Sequence, residues 1–84
     1  MRQTLKDNRG MKIGSIDRHL NGRITVYDKI GSKIGEIRPQ GKELIAYDKR
    51  GIKIAKWKET DDCTYDKNNR KIGKGDLLLD LYFA

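Results

Sequence analysis

Three tyrosines each stand six residues ahead of a lysine: Tyr27 and Lys33, Tyr47 and Lys53, Tyr65 and Lys71. Aromatic rings interleaved with cations are what single-strand nucleic-acid binders use, with rings stacked on bases and cations on phosphates. Further positive charge lies nearby at Arg9, Lys29, Lys49, Arg50, Lys67 and Arg70. The pattern also has a packing reading, since a lysine stem laid over a tyrosine ring across two strands is a mildly stabilising contact. The spacing follows from internal repetition, so packing comes first and anion or nucleic-acid binding by these six residues second.

Other reactive groups are few. His19 is the only histidine and Cys63 the only cysteine. A cysteine nucleophile needs a base and an oxyanion site brought to it, and nothing in the spacing of these two points to convergence. His19 is expected in a turn over 18–22 and Cys63 as a small packed residue. Asp7, Asp28, Asp48 and Asp66 recur at one repeat position. A calcium loop needs several oxygen ligands within a few residues, whereas each of these segments offers one carboxylate, so they are read as turn formers. The adjacent Asp61 and Asp62 are expected to start a turn rather than to act as an acid–base pair. No phosphate-binding loop ending in Lys-Ser or Lys-Thr occurs. No catalytic residue, metal ligand or cofactor is assigned.

The chain has 84 residues and a formal net charge of +7. That length allows one domain with a thin core. Low hydrophobicity with high charge is also the signature of disorder, but here the apolar residues recur at fixed places. A positive balance favours anionic partners such as nucleic acid, acidic proteins or lipid headgroups; mixed lysine and aspartate also keep a thin β protein soluble. One cysteine allows no disulfide within the chain, as suits a reducing compartment. No apolar leader and no run long enough to span a bilayer is read, so the expected location is cytoplasmic and no membrane partner is expected.

The elements that must position these residues are set by a repeat. Asp7-Asn-Arg-Gly-Met-Lys-Ile-Gly14 returns as Asp28-Lys-Ile-Gly-Ser-Lys-Ile-Gly35, Asp48-Lys-Arg-Gly-Ile-Lys-Ile-Ala55 and Asp66-Lys-Asn-Asn-Arg-Lys-Ile-Gly73, at steps of 21, 20 and 18 residues. The aspartate accepts hydrogen bonds from N–H groups two and three residues on. The fourth position holds Gly10, Gly31, Gly51 and Asn69, the residue types that tolerate positive φ. A type I turn closed by such a residue makes a hairpin with a bulge. Different turns, around Leu20-Asn-Gly-Arg23 and Arg38-Pro-Gln-Gly41, lie between repeats. The result is an all-β meander of four hairpins, over about 2–17, 23–38, 43–58 and 63–75. Its strands are expected near Gln3–Lys6, Lys12–Asp17, Arg23–Tyr27, Lys33–Arg38, Glu43–Tyr47, Lys53–Lys58, Cys63–Tyr65 and Arg70–Lys74.

The turn register predicts Leu5, Val26, Ala46 and Thr64 opposite Ile13, Ile34, Ile54 and Ile72 as one apolar layer. The tyrosines then face Lys33, Lys53 and Lys71 on the other side, followed on that side by Gly14, Gly35, Ala55 and Gly73. Four small residues at one position imply close backbone approach. Four equal hairpins pack most simply in a quasi-fourfold radial array with barrel-like closure. The tail 77–83 places Leu77, Leu79, Leu81 and Phe83 on one face of a strand; a short helix started by Asp76 is the other reading, and the strand is preferred because short helices are weak.

The motif Tyr-Asp-Lys-x-Gly-x-Lys-Ile-Gly, carried by Asp28, Gly31, Ile34 and Gly35 and their counterparts around Asp7, Asp48 and Asp66, resembles the bacterial four-fold β-flower proteins. The resemblance spans the chain and implies a radial array of four β-hairpins, with little or no helix; it implies little about activity, because that family has no established biochemical function. It also implies an origin on mobile integron gene cassettes. Lys6 in place of tyrosine, Asn69, and Gly75 in place of isoleucine or tryptophan depart from the repeat. The expected function is that of a small basic, non-enzymatic binding protein, with nucleic-acid binding on the Tyr–Lys face as the alternative. An apolar tail strand at a sheet edge would also pair with a second copy, giving a homodimer; the alternative is a monomer in which Leu77, Leu79 and Leu81 fill the bottom of the hairpin array.

Overall fold

The computed structural model describes residues 1–83. Eight antiparallel strands follow one another in a single meander: β1 (Arg2–Lys6), β2 (Lys12–Arg18), β3 (Ile24–Asp28), β4 (Lys33–Gln40), β5 (Glu43–Asp48), β6 (Lys53–Lys58), β7 (Cys63–Asp66) and β8 (Lys71–Lys74). One short helix, α1 (Leu78–Tyr82), follows. β1 and β8 stand at the two edges of the sheet. No helix among the described residues is long and apolar enough to cross a membrane.

The four within-repeat turns share one geometry. Asp48 Oδ1 accepts from the N–H groups of Arg50 at 2.8 Å and Ile52 at 2.9 Å, and the Gly51 N–H donates to the Asp48 carbonyl at 3.0 Å. The turns at Asp7, Asp28 and Asp66 repeat this set. The carboxylate thus reaches residues two and four positions on, while the main-chain carbonyl takes the third. The residues that close these turns have positive φ, from 64° at Asn69 to 93° at Gly31.

The register differs from the expected one by a single residue. Tyr27, Tyr47 and Tyr65 pair with Lys33, Lys53 and Lys71. One step further, Leu5, Val26, Ala46 and Thr64 pair with Gly14, Gly35, Ala55 and Gly73, not with the isoleucines. Ile13, Ile34, Ile54 and Ile72 are each the extra residue of a second bulge just beyond the turn. A bulge places two residues opposite one and resets which face later side chains take. The small residues therefore lie on the inner face with Val26, not on the tyrosine face.

That inner face carries the core: Ile16, Val26, Ile37, Ala46 and Ala55 are buried together with Leu78 of α1. The tail is a helix rather than the expected strand, and the small residues explain why. A Cβ on Gly14 would come within 2.5 Å of the Phe83 ring, and one on Gly35 would collide with the Tyr82 ring. One on Gly73 would lie 2.8 Å from Leu77. What approaches these positions is the tail's side chains. Thr64, fully buried, starts the crossing. Its hydroxyl donates to the Gly75 carbonyl at 2.7 Å and accepts from the Leu77 N–H at 3.0 Å. Gly75, with φ +86°, turns the chain off the sheet, and Asp76 accepts from the Leu78 N–H at 3.1 Å. At the far end the Tyr82 hydroxyl donates to the Tyr47 carbonyl at 2.7 Å.

Candidate anion-binding site

Residues directly opposite one another share a sheet face. On the outer face the pairing builds rows across the strands. One row runs Ser15, Tyr27, Lys33; the next Asp17, Thr25, Glu36, Tyr47, Lys53; the next Arg38, Ile45, Lys56, Tyr65, Lys71. The three Tyr–Lys pairs therefore lie on one face, each displaced from the last by two strands. The groups over the rings are different cations. The Arg2 guanidinium lies 4.1 Å from the Tyr27 centroid, that of Arg38 lies 5.0 Å from Tyr47, and the Lys58 ammonium lies 5.2 Å from Tyr65. Arg38 and Lys58 stand diagonally, opposite Ile45 and Cys63, two residues before the ring they cover. Sequence reasoning missed them because it followed residues within a hairpin, whereas these cations reach across between hairpins.

Glu36 anchors this face. Its carboxylate accepts from the Arg38 guanidinium at 3.2 Å and has Lys33 at 3.7 Å and Arg23 at 3.8 Å. The Arg38 hydrogen bond, with Arg38, Lys33 and Arg23 all positive, holds its carboxyl below the usual range. At β7 the Tyr65 hydroxyl donates to Asp61, and that bond pushes the phenol up to about 12. The tyrosine face is thus closely cross-braced.

The charge lies mainly elsewhere. In an antiparallel meander the four within-repeat turns share one end of the strands and the three between repeats share the other. The turn segments 6–12, 28–33, 48–53 and 66–71 hold eleven lysines and arginines against four aspartates, a balance of +7 that equals the whole chain's formal net charge. Each of those aspartates already binds two backbone N–H groups. Within these segments only Arg9 and Lys33 have a carboxylate within 4.0 Å among the described residues. The opposite end, over 18–23, 38–43, 58–62 and 74–77, is nearly balanced, with six cations against five carboxylates. Lys33, Lys53 and Lys71 belong to both surfaces: their tyrosine partners lie on the outer face, and they close the turn end.

The groups with nucleophilic or acid–base potential are committed locally. His19 Nε2 shares a hydrogen bond with the Thr25 hydroxyl at 2.9 Å. Buried Cys63 donates to the Asp61 carbonyl at 3.3 Å. Asp62, at φ 51°, accepts from the Trp57 indole at 2.9 Å. No group of three or more metal-ligating side chains occurs among the described residues. A groove of about 510 Å³ beside α1, lined by Leu5, Lys6, Ile13, Leu79, Asp80 and Phe83, offers apolar surface with one cation and one carboxylate. Against known proteins, no family model, no curated protein and no solved structure matches this chain.

Proposed function

We propose that this protein is a small, non-enzymatic binding module that holds an anionic partner at the end of the sheet formed by its four within-repeat turns. One observation carries the reading: the whole net charge resides in those turn segments, on cations that mostly lack carboxylate partners among the described residues. The turn aspartates act as acceptors for the backbone and leave the lysines and arginines to solvent. A reducing, cytoplasmic setting suits the free, buried Cys63.

The hairpins are best understood as a quasi-fourfold array of the β-flower kind with α1 near its axis. Gly14, Gly35 and Gly73, from three repeats, all meet side chains of the same tail segment, which supports an arrangement of hairpins around that tail. A second reading places single-stranded nucleic acid on the Tyr–Lys face; the register of Tyr27–Lys33, Tyr47–Lys53 and Tyr65–Lys71 favours it.

Salt-dependent binding tests both. Fluorescence anisotropy with short single-stranded and duplex oligonucleotides at increasing salt should show affinity falling linearly on a log–log scale, with a slope of about −0.7 to −0.9 per phosphate neutralised. Neutralising Lys49 and Arg50 should reduce that slope if the turn end binds. Removing the Tyr47 and Tyr65 rings should weaken single-strand binding only if bases stack there. Failure to bind oligonucleotides, heparin or anionic vesicles at low salt rejects the anion-binding reading.

A further inference from the structure

The charged turn end also carries apolar side chains in water. Met11 is 63% exposed, Ile30 80% and Ile52 57%. Each belongs to a different turn, so the first three turns carry one large aliphatic group apiece beside their cations. Ile72, 42% exposed, flanks the fourth. An exposed aliphatic group standing beside cations at each of three successive turns suits a partner that is both anionic and apolar. Resting on the reading of the turn end as the anion-binding surface, and departing from the sequence expectation of no membrane partner, we propose that its partner is a lipid bilayer containing anionic lipid. Lys29, Lys49, Arg50 and their counterparts lie among the headgroup phosphates and carboxylates, while Met11, Ile30 and Ile52 enter the boundary between headgroups and acyl chains.

Two features favour a bilayer over nucleic acid. A phosphate backbone neutralises the cations but buries no aliphatic tip; a bilayer does both. In addition, backbone polar groups are penalised in an apolar setting unless satisfied. Here the N–H groups of Ile30 and Ser32 are already bonded to Asp28, and those of Arg50 and Ile52 to Asp48. The tips can leave bulk water with these donors satisfied internally.

The opposite end supplies matched controls, since Leu20 is fully exposed there and Lys42 is a cation in a nearly balanced region. Flotation of the full chain tests the proposal, with vesicles of phosphatidylcholine and phosphatidylserine in a two-to-one ratio against pure phosphatidylcholine. The chain should float with the mixed vesicles and not with the neutral ones, and high salt should weaken it. Lys29→Gln with Lys49→Gln should reduce partitioning about 25-fold, from about fivefold per cation. Ile30→Ser with Ile52→Ser should reduce it at least about tenfold. Leu20→Ser and Lys42→Gln, at the end of the sheet away from the bilayer and screened from it by salt, should change it less than about twofold. Thermal melts establish that each variant is folded, and Ile30→Ser alone carries the same test if the double variant is not. Equal binding to neutral vesicles, or equal losses from the Leu20 and Lys42 variants, overturns the proposal. Oligonucleotide binding without vesicle binding overturns it while leaving the turn-end reading standing; binding to neither removes both.

Discussion

Gly35→Ala should destabilise the protein through α1, although Gly35 lies in a different repeat from the tail. A Cβ at this position would collide with the Tyr82 ring and stand 2.5 Å from the Tyr47 carbonyl, with the sheet fixed behind it. Overpacking of a formed core costs about 1–3 kcal/mol, and with two obstacles in place the upper end, about 3 kcal/mol, is expected. Tyr82→Ala by itself should cost about 3 kcal/mol, the low end for a large aromatic group because Tyr82 is only partly buried. The chain's total stability is about 4–13 kcal/mol by its length, so both variants stay measurable. In the Tyr82→Ala background the fixed Tyr47 carbonyl still opposes the new methyl, and Gly35→Ala should then cost about 2 kcal/mol. The cycle closes with a coupling of about 1 kcal/mol, within the range for contacting residues. Urea unfolding followed by Trp57 fluorescence and by circular dichroism gives each corner. Additive losses would mean that the ring does not rest on Gly35 in solution and that α1 is not the lid of the core. Gly73→Ala is the graded control: its one obstacle is the end of the Leu77 side chain at 2.8 Å, so the loss should stay under about 1 kcal/mol.

Other consequences are independent of the lid. Gly31→Val should cost about 1–3 kcal/mol because a β-branched residue resists φ 93°, while Gly31→Asn should be tolerated as Asn69 is in repeat 4; equal losses in thermal melts would refute the turn assignment. The Ile52 and Arg50 N–H groups hold the Asp48 carboxyl below its ordinary value, so its contribution is present above the usual carboxylate range and lost as pH falls through the depressed value. The stability gap between wild type and Asp48→Ala should therefore close on acidification, and a gap that persists would count against it. Burial pushes the Tyr82 phenol up to about 12, so stability should fall by about 2–3 kcal/mol as pH rises from 10 through 12. Tyr82→Phe should remove the Tyr82 share of the alkaline loss, leaving that of Tyr65, and cost about 1–2 kcal/mol at neutral pH, because the Tyr47 carbonyl loses its donor.

Much of the fold was legible because the turns are local. Asp, Gly and Asn act on backbone within five residues, and that chemistry can be read from the chain alone; it also fixes the Tyr–Lys register, which lies one step from the turn. The second bulge, at Ile13, Ile34, Ile54 and Ile72, was not legible. It depends on which face the following glycine must take, and that is decided by a tail about 40 residues or more from Gly14 and Gly35. The tail itself suits two periods. Leu77, Leu79, Leu81 and Phe83 alternate as a strand would, while Leu78, Leu81 and Tyr82 fall on one side of a helix. The helix prevails because the sheet's inner face offers glycine hollows for Tyr82 and Phe83, which strand propensity does not register. Thr64 was a visible clue, since it is a hydroxyl where the other repeats have leucine, valine or alanine, and it holds the start of the crossing.

The change from strand to helix bears on self-association. The homodimer expectation rested on an apolar strand at 77–83 lying at a sheet edge, and those residues instead pack over the inner face. What remains for edge pairing is β1 and β8. β8 has four residues, two of them lysines, and β1 has Arg2 and Lys6 at its ends. Short edges rich in cations resist pairing with another chain, and two such edges brought together would set like charges side by side. The chain should therefore be a monomer at micromolar concentration, its thin sheet covered by its own tail rather than by a second copy. Light scattering measures this directly. Tyr82→Ala supplies the sharper arm: with the lid loosened, Val26, Ile37 and Ala46 gain access to solvent, and self-association should rise in that variant alone. A wild-type dimer that is unaffected by Tyr82→Ala would refute the monomer and place the self-contact away from the inner face, at the β1 or β8 edge or on the outer Tyr–Lys face.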